Sequence, residues 1–172
     1  HALPYLKGEL EVFKKSVEDW TGKKITDADL DKGINIMNTN RRLMKEIYEL
    51  RKSDNPPLTG LEAMYMVVSG QMIEKEEHSR TMETVKAELA KRNLNRETGA
   101  RLMIIGSEDD DTAFINMVES VGATIVVDDH CTGSRYFWNE AVPGQDRLEA
   151  IAKRYVERPA CPSKDWMQRS RV

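Results

Sequence analysis

The fold class follows from residues 101–127, which read RLMIIGSEDDDTAFINMVESVGATIVV. The apolar runs at residues 101–106 and 124–127 are short and continuous, a pattern typical of strands buried on both faces of a parallel sheet. Between them, a stripe at helical spacing predicts a crossover helix. Its members are Phe114, Met117, Val118 and Val121. We therefore predict a strand–helix–strand unit and an α/β protein.

The residues before this unit predict helices. A first amphipathic helix ends near Gly22, and a second begins at the capping signal of residues 26–29 and runs to about Lys52. The apolar stripe of the first helix recurs at spacings of four and three residues. It consists of Leu6, Leu10, Phe13, Val17 and Trp20.

A third helical stretch follows the prolines at residues 56–57, which cannot continue the second helix. Thr59 and Glu62 form a capping box at its start, and the stretch is predicted to run to about Lys91. His78 lies among glutamates in this stretch, so we expect it on a solvated face.

A last helix is predicted over residues 146–156, where apolar positions share one face. The chain thus divides into a helical segment, residues 1–96, and an α/β part, residues 97–172. The expected fold is a helical N-terminal segment followed by part of a Rossmann-like parallel-sheet domain.

The composition excludes several classes of protein. The 172 residues include 26 basic and 29 acidic ones, and the net charge of −3 lacks the basic excess of a nucleic-acid-binding protein. No apolar run reaches the roughly 18 residues of a membrane span. The two cysteines, Cys131 and Cys161, lack the spacing of a zinc ribbon or a disulfide framework. We therefore expect a cytoplasmic protein with no nucleic-acid or membrane partner.

Candidate ligand-binding residues cluster where the two predicted strands end. If the strands are neighbours, residues 106–111 and 128–135 meet at one edge of the sheet, where open α/β proteins bind ligands. Four consecutive acidic residues, 108–111, repel phosphate and disfavour a Rossmann nucleotide site. Ser107 is a candidate for contacting a ligand. The structural alternative is that Ser107 or one of these carboxylates caps the helix that starts near Thr112.

The second loop combines carboxylates, an imidazole, a thiol and a guanidinium within eight residues. Asp128, Asp129 and Arg135 are candidates for contacting a cofactor, and Arg135 could hold a carboxylate or a phosphate. The structural alternative is a tight loop in which Asp129 or Thr132 satisfies backbone donors and Gly133 allows the turn. Contiguous side chains rarely converge on one ion, so this loop alone does not predict a metal site.

Several motifs in this order carry a family resemblance. They are GKKIT (22–26), NRR (40–42), YELRK (48–52), PPLTG (56–60), GATIVVDDHCTGSRYF (122–137) and RPACP (158–162). Over nearly the whole chain, they resemble the family of 2-hydroxyacyl-CoA dehydratase and benzoyl-CoA reductase subunits.

The resemblance implies anaerobic radical chemistry. Enzymes of this family consist of two similar subunits, cysteine thiolates hold a [4Fe-4S] cluster, and a separate ATP-dependent activator injects one electron. In the dehydratases the electron reaches the thioester carbonyl of a 2-hydroxyacyl-CoA, and the ketyl radical expels the hydroxyl group to give an enoyl-CoA. In the reductases the aromatic ring is reduced instead. The implied partners are a second homologous subunit, the activator and an acyl-CoA substrate.

The same resemblance places the main cluster ligands outside this chain, before Tyr5 and beyond Val172. Because the chain also starts at His1 rather than Met, we expect a middle fragment of a subunit that is inactive alone and binds no cluster. Cys131 and Cys161 belong to intermediate motifs, and Cys131 is the candidate metal ligand. No catalytic residue is assigned.

Two functions of other classes are alternatives. The chain could be a non-catalytic binding or assembly module that docks a partner through the stripe of the first helix, which would then be exposed. It could also be a flavodoxin-like domain that binds a small ligand over residues 109–111 and 128–135.

Overall fold

The structure, a computed structural model, describes residues 1–160 and is mixed α/β, as the sequence predicts. In chain order its helices and strands are α1 (Ala2–Thr21), α2 (Asp27–Glu49), α3 (Gly60–Met72), α4 (Lys75–Leu89), β1 (Ala100–Ile105), α5 (Thr112–Ser120), β2 (Ala123–Asp129) and α6 (Arg147–Val156). Short 3₁₀ turns lie at Leu50–Lys52 and Ser134–Tyr136. Within residues 1–160, no helix combines the length and the apolar character that crossing a bilayer requires.

The described residues form two compact units. The first consists of residues 1–39 and 139–158, and the second of residues 40–138 with Pro159 and Ala160. The predicted domain boundary between residues 96 and 97 stays a prediction.

In the first unit, α1 packs against α6. The carboxylate of Asp146 caps α6 by accepting a backbone N–H at 2.9 Å, and it forms an ion pair with Lys7 of α1 at 2.5 Å. Arg147 donates to both carboxylate oxygens of Asp31, each at 3.0 Å. The helix predicted over residues 146–156 is therefore confirmed.

The apolar stripe predicted for α1 is divided in the structure. Leu6, Leu10 and Val17 are half-buried, whereas Phe13 and Trp20 are exposed. No residue of α1 is fully buried. Part of the apolar surface of α1 is therefore not covered by packing within the first unit.

The core of the second unit joins the end of α2 to α3 and α4. Phe137 is fully buried in it, and its ring meets that of Tyr48 edge-on, with centroids 4.7 Å apart. The half-buried Tyr136 packs against the same cluster, whereas Trp138 is exposed. The buried members of this cluster are Leu43, Met44, Ile47, Leu58, Ala63, Val67, Met82, Leu89 and Phe137.

β1 and β2 form a parallel two-stranded sheet with α5 as the crossover between them. Ile125 of β2 is buried in a second cluster with Met64 and Ile115. The expectation that β1 is also buried on both faces is wrong, because five of its six residues are exposed. The physical reason is that, within residues 1–160, α3 and α5 pack against β2, whereas no helix packs against β1 to a comparable extent.

The helical stretch predicted to continue to about Lys91 is interrupted between α3 and α4. Thr59 and Glu62 form the predicted capping box at the start of α3, but Ile73 is extended. The carboxylate of Glu74 then accepts the backbone N–H groups of residues 76 and 77, at 2.9 and 2.7 Å, and caps a new helix. A glutamate at an N-cap position is uncommon, so the pattern of capping residues did not predict this break.

His78 is buried, so the expectation that it lies on a solvated face is wrong. Its Nε2 lies 2.9 Å from the carbonyl oxygen of Met66, and its Nδ1 lies 2.7 Å from the side-chain nitrogen of Asn40. Since a carbonyl only accepts and an amide nitrogen only donates, Nε2 carries the proton and Nδ1 accepts. The ring packs against the backbone of Gly70, where an added Cβ would lie 2.8 Å from Cε1.

We predict that Gly70→Ala lowers the free energy of unfolding by about 1–3 kcal/mol, because the new methyl group overpacks against the imidazole. Gly33→Ala is the matched control, since Gly33 lies inside α2 with open space around it. That change is expected to raise stability by about 0.5–1 kcal/mol through helix propensity alone. Urea unfolding measures the free energy of unfolding of both variants. A change of the same sign in both would contradict the contact between Gly70 and His78.

Candidate functional site

The loops that follow β1 and β2 lie together at the carboxyl edge of the sheet, as predicted. The backbone N–H of Cys131 donates to the carbonyl of Ser107 at 2.8 Å, and that of Gly106 donates to the carbonyl of Asp129 at 3.3 Å. We call residues 106–111 and 130–135 the strand-end loops. Parallel strands end at the same edge, so neighbouring strands bring these loops into contact.

Thr132 connects the two strand-end loops through its side chain. Its hydroxyl accepts the backbone N–H of Asp109 at 3.1 Å and donates to the carbonyl of the same residue. His130 Nδ1 lies 3.0 Å from the same hydroxyl. Since the Thr132 hydroxyl proton is already donated to the carbonyl of Asp109, His130 Nδ1 carries a proton and donates it to the Thr132 oxygen.

Asp128 lies at the end of β2 with a buried carboxylate that has three donors. Its Oδ2 accepts from Arg51 Nη1 at 2.5 Å and from the hydroxyl of Tyr48 at 3.1 Å. Its Oδ1 accepts the backbone N–H of Ser134 at 2.8 Å. A side chain at Gly133 would place Cβ 2.5 Å from that oxygen. The close approach explains why glycine occupies this position.

Arg51 is the cation that balances Asp128. Its Nη2 also donates to the carbonyl of Ile125 at 2.7 Å, and its guanidinium lies 4.6 Å from the centre of the Tyr48 ring. Burial lowers the pKa of Arg51, but attraction to the Asp128 carboxylate, with smaller contributions from Tyr48 and Glu119, raises it overall. Burial, reinforced by the same carboxylate, raises the pKa of Tyr48 well above its usual value. The Arg51 guanidinium is therefore charged and the Tyr48 phenol neutral.

Arg135 forms a similar ion pair with Asp129. Its Nε donates to Asp129 Oδ1 at 2.9 Å, and its Nη2 donates to the backbone carbonyls of Gly106, at 3.0 Å, and of Asp129. The side chain is buried, and its Nη1 has no hydrogen-bond partner in the described part of the chain. Arg135 thus holds both strand-end loops and keeps one donor unused.

The structure places the remaining predicted site residues differently. The side chain of Ser107 is exposed at the sheet edge, and Cys131 is half-buried with its thiol outside any disulfide. Asp111, not Ser107, caps α5 by accepting the N–H of Phe114 at 3.0 Å. Cys161 lies outside the described residues.

The described residues do not fit an iron–sulfur cluster by themselves. A [4Fe-4S] cluster usually takes four cysteine ligands, and residues 1–160 supply one thiol. In that range, no three side chains of His, Cys, Asp or Glu are grouped as a metal would need.

Reasoning from the strand-end loops alone missed Arg51 and Tyr48. They lie in a helical region 77 and 80 residues before Asp128, a separation that local patterns do not bridge. A signal was nevertheless present, because both residues belong to the YELRK motif at residues 48–52.

Comparisons with known proteins agree with the resemblance. A sequence model of the family described as "2-hydroxyglutaryl-CoA dehydratase, D-component" matches residues 1–172. The chain is 26% identical over 154 residues to one of the benzoyl-CoA reductase subunits of Thauera aromatica, an alignment that covers 88% of this chain and 40% of the relative. It is 23% identical over 154 residues to the (R)-phenyllactyl-CoA dehydratase beta subunit of Clostridium sporogenes, covering 90% of this chain and 41% of the relative.

A third relative is the beta subunit of lactoyl-CoA dehydratase from Anaerotignum propionicum. It is 24% identical over 159 residues, which make up 91% of this chain and 42% of the relative. The chain therefore spans about two-fifths of the length of these curated relatives.

We predict that Asp128→Ala lowers the free energy of unfolding by about 3–5 kcal/mol, because it leaves the buried Arg51 guanidinium without a counter-charge. Asp110→Ala is the matched control in the same region, since Asp110 is exposed, and its effect should stay within about 0.5 kcal/mol. Chemical denaturation measures both. A loss in Asp128→Ala no larger than in the control would contradict a structural role for the ion pair.

Stability is also expected to depend on pH through two histidines. Burial lowers the pKa of His78 and of His130 below the ordinary 6.5. Between the folded-state pKa values and about pH 6.5, the unfolded chain binds more protons than the folded one. The contribution of both groups is thus complete above about pH 6.5 and is lost as the pH falls below it.

Urea unfolding between about pH 8 and pH 5.5 checks this, since most carboxylates titrate lower. His78→Gln should flatten the decline in the free energy of unfolding. His1→Gln should leave it unchanged because His1 is exposed. An equal slope in all three proteins would contradict the neutral, buried state assigned to His78.

Proposed function

The chain belongs to the family of the 2-hydroxyglutaryl-CoA dehydratase D-component, and on that basis we propose that it forms the middle part of a subunit of an enzyme that acts on acyl-CoA thioesters. The reaction is either radical elimination of water from a 2-hydroxyacyl-CoA, which gives an enoyl-CoA, or reduction of the ring of benzoyl-CoA. The match to residues 1–172 carries this proposal. The names of the three relatives support the substrate class, since each refers to a CoA thioester.

The exposed apolar surface of the sheet supports the proposal that more polypeptide completes the parent subunit. Met103 and Ile105 of β1 are more than half exposed. Native proteins normally pair or cover such an edge strand. Apolar side chains of α5 and of its C-cap residue are exposed as well, namely Phe114, Met117 and Val121. Because the sheet is open here, we propose that the isolated chain is inactive.

The parent enzyme is proposed to contain a [4Fe-4S] cluster, as the resemblance implies. When bound, such a cluster supplies one-electron chemistry. Residues 1–160 supply a single thiol, so the main ligands are proposed to lie elsewhere in the parent enzyme, with Cys131 as the one candidate here. The proposed partners are a homologous second subunit and an ATP-dependent activator, in a reducing cytoplasm where an isolated thiol stays reduced.

Within this chain, we propose that the strand-end loops contact the substrate or cofactor. Arg135 is the strongest candidate, because its buried Nη1 is a donor without a partner within residues 1–160 and suits a carboxylate or phosphate. Ser107 is the second, since its hydroxyl is exposed at the same edge. Asp128 and Asp129 contribute indirectly, because they hold the side chains of Arg51 and Arg135 in place.

We predict that the purified chain, mixed anaerobically with iron and sulfide, does not retain a stable cluster. The reason is that one or two thiols cannot complete the four-ligand set. The measurement is the charge-transfer absorbance of thiolate-bound iron together with the iron content after gel filtration. The Cys131→Ser/Cys161→Ser variant is the control and should behave identically. A stoichiometric cluster that this variant loses would contradict the proposed placement of the ligands.

The activity is tested on the open reading frame that contains residues 1–172. Its product is expressed anaerobically with the genetically neighbouring homologous subunit and an ATPase activator, and supplied with ATP and a reductant. Mass spectrometry then follows loss of water from a set of 2-hydroxyacyl-CoA thioesters and gain of hydrogen by benzoyl-CoA. Turnover in one arm identifies the reaction. Failure in both arms, with an assembled and cluster-loaded complex, would overturn the proposed function.

A further inference from the structure

Lys75 joins the break between α3 and α4 to the turn that carries Arg135. It is the first residue of α4 and is half-buried. Its Nζ donates to the carbonyl oxygen of Gly70, near the end of α3, and to the hydroxyl of Tyr136 at 2.9 Å. Tyr136 directly follows Arg135 in the 3₁₀ turn Ser134–Tyr136. One ammonium group thus contacts both the end of a helix and the turn that closes the second strand-end loop.

The break between the two helices places this ammonium group. In an uninterrupted helix, the Gly70 carbonyl would accept the backbone N–H of residue 74. In the structure Glu74 is the N-cap of α4, and the side chain of Lys75 reaches back to the Gly70 carbonyl. Carbonyl oxygens at the end of a helix carry partial negative charge, which favours a cation at this position. Because the glutamate cap starts a new helix here, the first residue of α4 lies beside the end of α3.

Tyr136 is held by its ring as well as by its hydroxyl. The ring packs against the core cluster of the second unit, and Lys75 Nζ lies 5.0 Å from its centre, within the range of cation–π attraction. The next residue, Phe137, is fully buried. A rotation of the turn would therefore break the hydrogen bond to Lys75 and disturb the packing of two aromatic rings.

A second contact joins the same two segments. The side-chain amide of Gln71 donates to the backbone carbonyl of Cys131 at 3.4 Å. The last turn of α3 thus reaches the second strand-end loop directly. This bond is long and exposed, whereas the bond from Lys75 is charge-assisted and partly buried. Lys75 is therefore the stronger of the two supports.

We propose that Lys75 is a positioning residue, which fixes the turn at residues 134–136 and thereby the place of Arg135. Asp129 and the Gly106 carbonyl hold the guanidinium itself, whereas Lys75 holds the backbone that carries it. The consequence for substrate binding rests on the proposed function, in which Arg135 contacts an anionic group. The effect of Lys75 on the loop is independent of that assignment.

The first test follows the thiol of Cys131 in a Cys161→Ser background of the full chain. Cys131 is half-buried in the second strand-end loop, so its rate of reaction with an aromatic disulfide reagent reports local opening of that loop. Lys75→Met should raise this rate about tenfold, because opening no longer breaks a charge-assisted hydrogen bond. Lys75→Arg keeps a cationic donor and should restore most of the slow rate. Lys91→Met is the matched control, since Lys91 pairs with Glu88 on the exposed surface, and should leave the rate unchanged.

A double-mutant cycle assigns the effect to the contact with Tyr136. Tyr136→Phe removes the hydroxyl and keeps the ring, so it should raise the Cys131 rate in the same direction as Lys75→Met. The double variant should raise it little further, because both changes remove the same contact. Circular dichroism verifies that each variant is folded. Tyr136→Phe is the milder change and tests the contact by itself if Lys75→Met does not fold.

The second test uses the assembled parent enzyme with its partner subunit and activator. Lys75→Met should raise the KM for the acyl-CoA about tenfold with little change in kcat, because it displaces a residue that binds substrate rather than one that acts in the chemical step. Lys75→Arg should restore the KM, and Lys91→Met should match the unmodified enzyme.

Three outcomes would overturn the proposal. The first is a Cys131 rate in Lys75→Met no higher than in Lys91→Met, which would show that Lys75 does not hold the loop. The second is an additive double variant, which would separate Lys75 from Tyr136. The third is an active Lys75→Met enzyme with an unchanged KM. A parent enzyme without activity, combined with the expected thiol rates, would instead support the positioning of the loop and contradict the proposed function.

Discussion

The buried ion pair between Arg51 and Asp128 is the contact on which the candidate site depends. Burying either charge alone is costly, and together with the hydrogen bonds to Tyr48, Ser134 and the backbone they satisfy most of each other's polar atoms. The pair joins the end of a helical region to the end of β2. It therefore fixes where the chain leaves the sheet and where the second strand-end loop begins.

The strand-end loops are held together because their polar groups bind each other. Thr132 and Arg135 bridge from one loop to the other, and the carboxylates of Asp128 and Asp129 are both paired with guanidinium groups. Two of the acidic side chains at this edge, Asp128 and Asp129, are thus balanced by guanidinium groups.

Two apolar surfaces differ in what would cover them. Within residues 1–160, one edge of β1 has no neighbouring strand, so covering it requires backbone hydrogen bonds as well as apolar contact. The exposed face of α1 has its backbone bonds satisfied and offers side chains alone. A second helix is enough to cover it.

The sequence by itself determined the strand–helix–strand unit, the capping box at Thr59, α6 and the meeting of the strand-end loops, because periodicity, caps and strand ends are local signals. It also carried the family resemblance. Only the tertiary structure decided the burial of His78, the exposure of β1, and the partner of Asp128. Burial depends on which elements pack together, and the contact of Arg51 with Asp128 joins residues 77 positions apart, a distance that no local pattern encodes.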